Sequence, residues 1–322
     1  MRIVSLLPAV TEWVYTFGAG NALVGRSHAC DYPSEVSEVP VVTRADVETD
    51  TDSAGIDRNV RRRISDGMSL YDVDLERLKA LAPDVIITQD QCEVCAVSLE
   101  ALEEWVSNEV SEQTTLLSIA PRTLKDAFDT ALRIGRAIGR LETAMQVVAS
   151  GEKRLQRLMD RLGINREGKL RGAERPSVLC IEWIDPLMAA GHWMPDVVEK
   201  AGGTALLGRA GEPSHYISWP EVLEVDPDVI VFVPCGYDLK TTRDDLGRCS
   251  DRTGWNRLTA VREDRVYLLD GSAYFNRPGP RLYRSIELMA KVLHPDRVQT
   301  LEPPVRDWEL AAPVCSGSEP YA

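Results

Sequence analysis

Residues 142–162, ETAMQVVASGEKRLQRLMDRL, decide the fold. Apolar side chains recur at Met145, Val148, Leu155, Leu158, Met159 and Leu162. Their spacing, mostly three or four, is the period of a helix with one buried face. No proline interrupts the run. Gly139 and Arg140 end the segment before it, and Gly163 stands where a left-handed C-terminal cap belongs. At about 1.5 Å per residue the rod is roughly 30 Å long, the diameter of a small domain. A rod of that length joins one lobe to another.

On either side of the rod the same pattern is written twice. Before it, LAPDVIITQDQ (81–91) reads as a helix end, a Pro-Asp turn and a buried strand; after it, EVDPDVIVFVPCG (224–236) repeats the order. The openings match, RIVSLLPAVTEWVYTFGAGNALVG (2–25) against SVLCIEWIDPLMAAGHWMPDVVEKAGGTALLG (177–208). Each is a strand, a loop, a helix, a glycine stop and a second apolar run. The closing units match as well, TLLSIAPRTLKDAFDTALRIGRAIG (115–139) against RVYLLDGSAYFNRPGPRLYRSIELMAKVL (265–293). Matched units in one order indicate an internal duplication around a connecting helix. Apolar strands alternating with helices predict parallel sheets covered on both faces. The expected fold is α/β: two Rossmann-like lobes with parallel sheets, one long spanning helix, and a ligand cleft between the lobes. The expected boundaries are 1–140 for the N-terminal lobe, 141–163 for the helix, 176–300 for the C-terminal lobe and 301–322 for an unpatterned tail. Residues 44–70 have no counterpart in the second half; there Ser53 is expected to cap a helix through Asp66, stopped by Gly67, with the arginines of 58–63 on a solvated face.

The chain of 322 residues is long enough for two such lobes. Its net charge of −13 argues against a nucleic-acid partner, which requires a basic surface. No apolar run is long enough for a membrane span. Met1-Arg2-Ile3-Val4 enters a strand directly, without the segments of a secretory signal, and the seven cysteines show no disulfide framework. Together these predict a cytoplasmic chain, the alternative being a periplasmic or extracellular one whose signal has been removed.

Ligands of parallel α/β sheets sit beyond the carboxyl ends of the strands. Applied to both lobes, that rule selects Pro8, Cys30, Asp31, Tyr32, Asp90, Gln91 and Cys92 from the first. From the second it selects Trp183, His192, Trp193, Tyr216, Trp219, Tyr274, Phe275 and Asn276. Aromatic residues are only 6% of the chain, so their concentration after strands suits a large, rigid, partly apolar ligand. Cys92-Glu93-Val94-Cys95 is a CxxC without the second pair of a zinc ribbon. With His28 and Cys30 it forms the expected metal- or cobalt-ligating cluster, His28, Cys30, Cys92 and Cys95; the alternative for each cysteine is buried packing. Gly18-Ala19-Gly20 follows a helix and is a turn rather than a nucleotide loop, and the GxxxxGK[ST] and GxSxG patterns are missing, so no catalytic residue is assigned.

SLLPAVTEWVYTFGAGNALVG (5–25), WPEVLEVDPDVIV (219–231) and FNRPGPRLYRSIELMAKVL (275–293) resemble the helical-backbone substrate-binding proteins of ABC importers. HACDYP (28–33) and DQCEVCAVS (90–98) are most similar to their cobalamin-binding subgroup. The resemblance implies non-catalytic binding of a corrinoid, cobalamin or a relative of it, as ligand and not as catalyst. The setting it implies is an ABC-importer substrate-binding protein or a cytoplasmic relative. It also implies an ABC permease as partner, docked through Glu76 on the first lobe and Glu221 or Glu224 on the second, and a ligand-stacking role for Trp219. Alternative readings are a cytoplasmic metal- or tetrapyrrole-handling enzyme of the chelatase kind, or a siderophore or haem binder. Against the siderophore stand the few arginines near these positions, Arg26, Arg277 and Arg281.

Overall fold

The computed structural model describes residues 1–49, 51–66, 68, 70–90, 114–165, 168, 170–172 and 174–298. The chain divides into two compact units, Met1–Gly151 with Pro278–Pro280, and Glu152–Arg277 with the remainder.

In the first unit, β1 (Ile3–Ser5), β2 (Leu23–Arg26), β5 (Val85–Gln89) and β6 (Thr115–Ile119) form a parallel sheet in the order β2-β1-β5-β6. Every residue of β1 is buried, as a central strand covered on both faces requires. Helix α1 (Pro8–Thr16) starts without a side-chain cap, because Pro8 at its first position sets φ for the helix and lacks the N–H that a cap would satisfy. It ends where Gly18 turns to φ +70°. Trp13 on this helix is fully buried, stacks on Phe17 at 5.4 Å, and donates its indole N–H to the Pro278 carbonyl at 3.4 Å.

Residues after β2 leave the sheet. Strands β3 (Thr43–Ala45) and β4 (Tyr71–Val73) pair antiparallel as a separate ribbon enclosing α2 (Ser53–Ser65). The sequence did not announce this ribbon. Nor is Ser53 the cap: Asp52 takes that position, accepting the Gly55 N–H at 2.8 Å, while Ser53 is buried inside the first turn. Asp and Ser cap about equally well, so the neighbouring residue decides by its extended backbone. Gly67 lies outside the described residues. Helix α3 (Leu75–Ala80) precedes the Pro-Asp turn, and α4 (Leu124–Ala137) opens with a capping box between Thr123 and Asp126.

Helix α5 (Leu141–Leu162) is the long helix read from the sequence, and the unit boundary falls inside it after Gly151. Its buried positions are Ala144, Val148, Gly151, Leu155, Leu158 and Leu162, alternating four and three. Met145, expected in the stripe, is 57% exposed, because it is rotated by about 100° from Ala144. Gly163 ends the helix at φ +76°. Gly135 of α4 allows the close return onto α5: a Cβ there would lie 2.4 Å from the Ala144 Cβ.

In the second unit β7 (Ser177–Trp183), β11 (Val229–Phe232) and β12 (Val266–Leu268) run parallel, and β9 (Thr204–Ala205) pairs parallel with the start of β7. The duplication is explicit in this order. Opening strand, following strand, Pro-Asp strand and closing strand occupy the same places as β1, β2, β5 and β6. The sheet is not purely parallel as expected: β8 (Met188–Ala189) runs antiparallel to the end of β7, and β10 (His215–Tyr216) antiparallel to β8. The tight reversal at Asp185-Pro186 returns the chain beside the strand it has just left. Helices α6 (Met194–Lys200), α7 (Trp219–Val225), α8 (Leu239–Asp245), α9 (Gly247–Ser250), α10 (Thr259–Arg262) and α11 (Leu282–Leu293) complete the unit. Its core joins Leu179, Ile181, Phe232, Leu246, Trp255 and Leu268. Within α11, buried Arg284 and Glu287 pair at 2.9 Å, and Glu287 also receives both arms of Arg154 from α5. None of the described helices is long and apolar enough to cross a membrane.

Candidate binding site

Because the strands are parallel, the loops after β1, β2 and β5 leave one end of the first sheet. Pro8 opens α1 there, partly exposed, and Asp90 is an exposed residue whose N–H donates to the Ile119 carbonyl at 3.0 Å. The loop after β2 is held throughout. Arg26 donates to the carbonyls of Val39 and Cys30 at 3.0 and 2.9 Å, and the Cys30 N–H closes a turn onto Ser27 O at 3.1 Å. Arg26 is thus occupied with its own loop. Beyond it Asp31 and Tyr32 are exposed, Tyr32 at 49%.

His28 and Cys30, expected to act together, do different things. Cys30 is 2% exposed, and its sulfur accepts from the Thr11 hydroxyl at 3.1 Å. It packs beside α1 as a buried thiol, the alternative expected for each cysteine, rather than lying open for the ligand-binding and metal-ligating role. His28 is partly exposed: its Nδ1 lies 2.7 Å from the Thr43 hydroxyl and its ring stacks on Tyr71 at 5.4 Å. Burial lowers its pKa below the ordinary imidazole value. Gln91, Cys92 and Cys95 lie outside the described residues. Among the described residues no group of three or more His, Cys, Asp or Glu side chains is placed to hold a bare metal ion. Cys180 and Cys249 are core thiols whose pKa burial pushes up to about 12, beyond any reactive range.

The second unit presents an aromatic row. Trp183 is in register with Met188 on β8, and Met188 with Tyr216 on β10. Directly opposed residues of antiparallel strands share a face, so Met188 and Tyr216 stand side by side, with Trp183 paired to Met188 beyond an irregularity in the β7–β8 ladder. Tyr237 joins them, its ring 5.3 Å from that of Trp183. Tyr216 is 50% exposed and Trp183 and Met188 partly so, leaving this row open to a ligand. Met188 and Tyr237 were not anticipated. Tyr237 follows β11 and the strand-end rule points near it, whereas Met188 enters only through register, which leaves no local signal.

The other second-unit expectations divide. Trp193 and Phe275 are buried caps: the indole of Trp193 donates to the Phe275 carbonyl at 2.8 Å, and Phe275 has no exposed surface. Tyr274 is buried under Arg281, whose guanidinium lies 5.5 Å from the ring centre. Asn276 spends its amide on the Val233 carbonyl at 3.1 Å. Asp270, which starts this turn by accepting the Ala273 N–H at 2.7 Å, has its carboxyl raised above the usual range by burial. Trp219 is already faced by Trp255 at 6.2 Å and by Arg252 at 5.8 Å, with its N–H given to Thr253 O at 2.8 Å. Of the residues expected at the strand ends, Trp193, Tyr274 and Phe275 are thus buried, while Trp219 and Asn276 remain partly exposed and engaged by these contacts. His192 is partly exposed and adopts φ +49°, held by its N–H to the Glu212 carbonyl. A left-handed backbone at a residue other than glycine is strained and recurs at ligand sites.

Of the docking glutamates, Glu76 is exposed in the first turn of α3 and Glu224 is exposed on α7. Glu221 is committed to the capping box of α7, accepting the N–H and hydroxyl of Ser218 at 2.7 Å each. Those bonds, the hydroxyl foremost, lower its pKa.

The two α/β units repeat one strand order, and a long helix runs from one unit into the other. The chain belongs to the periplasmic binding protein family, which it matches over residues 3–273. It is 23% identical to the ABC transporter substrate-binding lipoprotein YvrC of Bacillus subtilis, over 92% of this chain and 80% of that one. It is also 23% identical to the vitamin B12-binding protein of Vibrio cholerae, over 91% and 88%. A periplasmic heme-binding protein from Pseudomonas aeruginosa superposes with a TM-score of 0.66 at 20% identity, covering 91% of this chain and 92% of the other. The relatives named by location are a lipoprotein and a periplasmic protein, so the expected cytoplasmic setting finds no support among them.

Proposed function

We propose that this chain is the ligand-capturing component of an ABC importer and carries a corrinoid. The observation that carries the reading is the group of Trp183, Met188 and Tyr216, flat or polarisable side chains at adjoining strand ends that offer contact area at little entropic cost, with buried Tyr237 packed against Trp183. A corrinoid is a rigid macrocycle of that character. The similarity to a vitamin B12-binding protein supports the same ligand. The engagement of Arg26 with its own loop weighs against an anionic siderophore. The working place consistent with the named relatives is outside the cytoplasm, beside a permease that receives the ligand. The test is titration with cyanocobalamin, aquocobalamin and hemin, followed by absorbance and calorimetry. Corrinoid binding at micromolar affinity or better is expected; hemin alone would reassign the cargo, and binding of neither would refute the reading.

A further inference from the structure

We propose that α2 is a membrane-docking surface: the outward face of Arg58, Arg61 and Arg62, with Ile64 and Met68 beside the helix end, seats the first unit on the anionic headgroups of a phospholipid bilayer. The proposal rests on the proposed function only for its setting, an importer component working beside a membrane-embedded permease.

The first observation is charge. Four arginines fall within residues 58–63, and α2 carries them against one aspartate, Asp57, for a net +3 in a chain of −13. At about 100° per residue, Arg58, Arg61, Arg62 and Ser65 share one side of the helix, and all four are exposed. Ser53 and Ile56 are buried on the opposite side. Arg61 pairs with Asp57 at 2.8 Å and Arg63 with Asp46, whereas Arg58 and Arg62 make no ion pair among the described residues. An exposed pair such as Arg61–Asp57 holds its guanidinium weakly and leaves it able to turn to a phosphate. The helix dipole favours Arg62 and Arg63 in the last turn, but Arg58 stands mid-helix, where it gains nothing from that source. The run sits beside the β3–β4 ribbon, which the second unit lacks, so the duplicated fold does not require it.

The second observation is apolar exposure at the same place. Ile64 is 40% and Met68 45% exposed, two of the seven large hydrophobic side chains left exposed among the described residues. The Met68 N–H donates to the Arg63 carbonyl at 2.9 Å, which holds Met68 against the last turn of α2. Guanidinium groups along a face and apolar side chains at one end fit a lipid interface, where phosphates lie above an acyl layer. Exposed Asp66 at the helix end is the acid that opposes them locally. The chain as a whole is repelled by an anionic surface at a distance. Within a Debye length, about 10 Å at 0.1 M salt, the nearest face decides. The contact is therefore short-ranged and sensitive to salt, and it orients the chain rather than anchoring it.

Flotation of the full chain with vesicles tests this, comparing pure phosphatidylcholine with a mixture containing roughly one-third phosphatidylglycerol. Flotation is expected with the anionic vesicles alone, weakening about tenfold or more between about 0.05 M and about 1 M salt. Arg58→Glu with Arg62→Glu should lower partitioning about fivefold or more, and Arg58→Lys with Arg62→Lys should largely keep it. Arg243→Glu with Arg257→Glu, at exposed positions of the second unit, changes the net charge equally and should leave partitioning within about twofold. Ile64→Ser with Met68→Ser should lower it about threefold. Thermal melts of each variant establish that it is folded. Equal binding to both vesicles, binding to neither, or equal loss in the two charge reversals overturns the proposal. So does a salt-sensitive dimer, seen by sedimentation without lipid and abolished by Arg58→Glu with Arg62→Glu, which gives the face to a second copy. Corrinoid titration of the same samples separates the two readings. Corrinoid binding without flotation removes the docking surface alone, and flotation without macrocycle binding removes the cargo alone.

Discussion

Asp228 receives two hydrogen bonds from Ser177, one from the backbone N–H and one from the hydroxyl, each at 2.7 Å. Asp84 does the corresponding work in the first unit, accepting the Arg2 N–H at 2.6 Å. In each unit the Pro-Asp turn before the third-placed strand latches the start of the opening strand. The repeated dipeptide therefore survives for a physical reason: a carboxylate satisfies the backbone donor that no neighbouring strand reaches. Asp228→Ala should cost about 2 kcal/mol in urea unfolding, the scale of a hydrogen bond to a charged group. Asp84, more exposed and bonded through one donor, should cost less; equal losses would show that the turns are not equivalent.

The ion triad of Arg154, Glu287 and Arg284 fastens the later half of α5 to α11. Glu287→Ala removes the carboxylate shared by two guanidinium groups, one of them buried, and should destabilise the chain by about 3 kcal/mol. Arg154→Ala should cost less, because Glu287 keeps Arg284. Denaturant midpoints of the two variants check the order.

Ligand contacts and core caps separate by measurement. Tyr216→Ala removes a half-exposed ring and should weaken ligand binding several-fold with little change in melting temperature. Phe275→Ala should lower stability by about 3–5 kcal/mol, as for a buried aromatic. A Tyr216→Ala variant with unchanged affinity would take the row out of the site.

Acid should destabilise the fold through its histidines. Burial lowers the pKa of His28 and of His294, so on acidification the unfolded chain takes up protons first. Stability from this source is complete above about pH 6.5 and is lost as pH falls from there through the lowered folded-state values. His294→Gln should narrow the gap between melting temperatures measured at about pH 7.5 and about pH 5.5. An unchanged gap would assign acid sensitivity to the carboxylates.

If a permease is the partner, Glu76→Ala with Glu224→Ala should abolish transport and leave ligand affinity within about threefold, since both are exposed acids outside the proposed ligand contacts. Glu221→Ala is a poorer probe, because it opens the α7 capping box.

Sequence periodicity revealed what is local or repeated: the long helix, its glycine end, the paired openings and the Pro-Asp turns. It could not tell an open ring from a capped one. Trp193 is buried where its indole reaches a carbonyl 82 residues further on, and Trp219 is partly covered because Trp255 comes to lie against it. Such contacts leave no period in the chain. The antiparallel edge escaped for a similar reason, as β8 and β10 are each two residues long and too short to show alternation. The strand-end rule selects a region but not its exposed faces: Cys30 follows β2 and is buried against Thr11, while its neighbours Asp31 and Tyr32 are exposed.

Pro278–Pro280 belongs to the first unit although the residues on both sides of it belong to the second. A gene cut at the middle of α5 would therefore not yield two finished halves. The leading fragment would fold around a Trp13 indole whose acceptor, the Pro278 carbonyl, had been left on the other piece. The repeat reads twice along the chain, yet no single cut separates its two units.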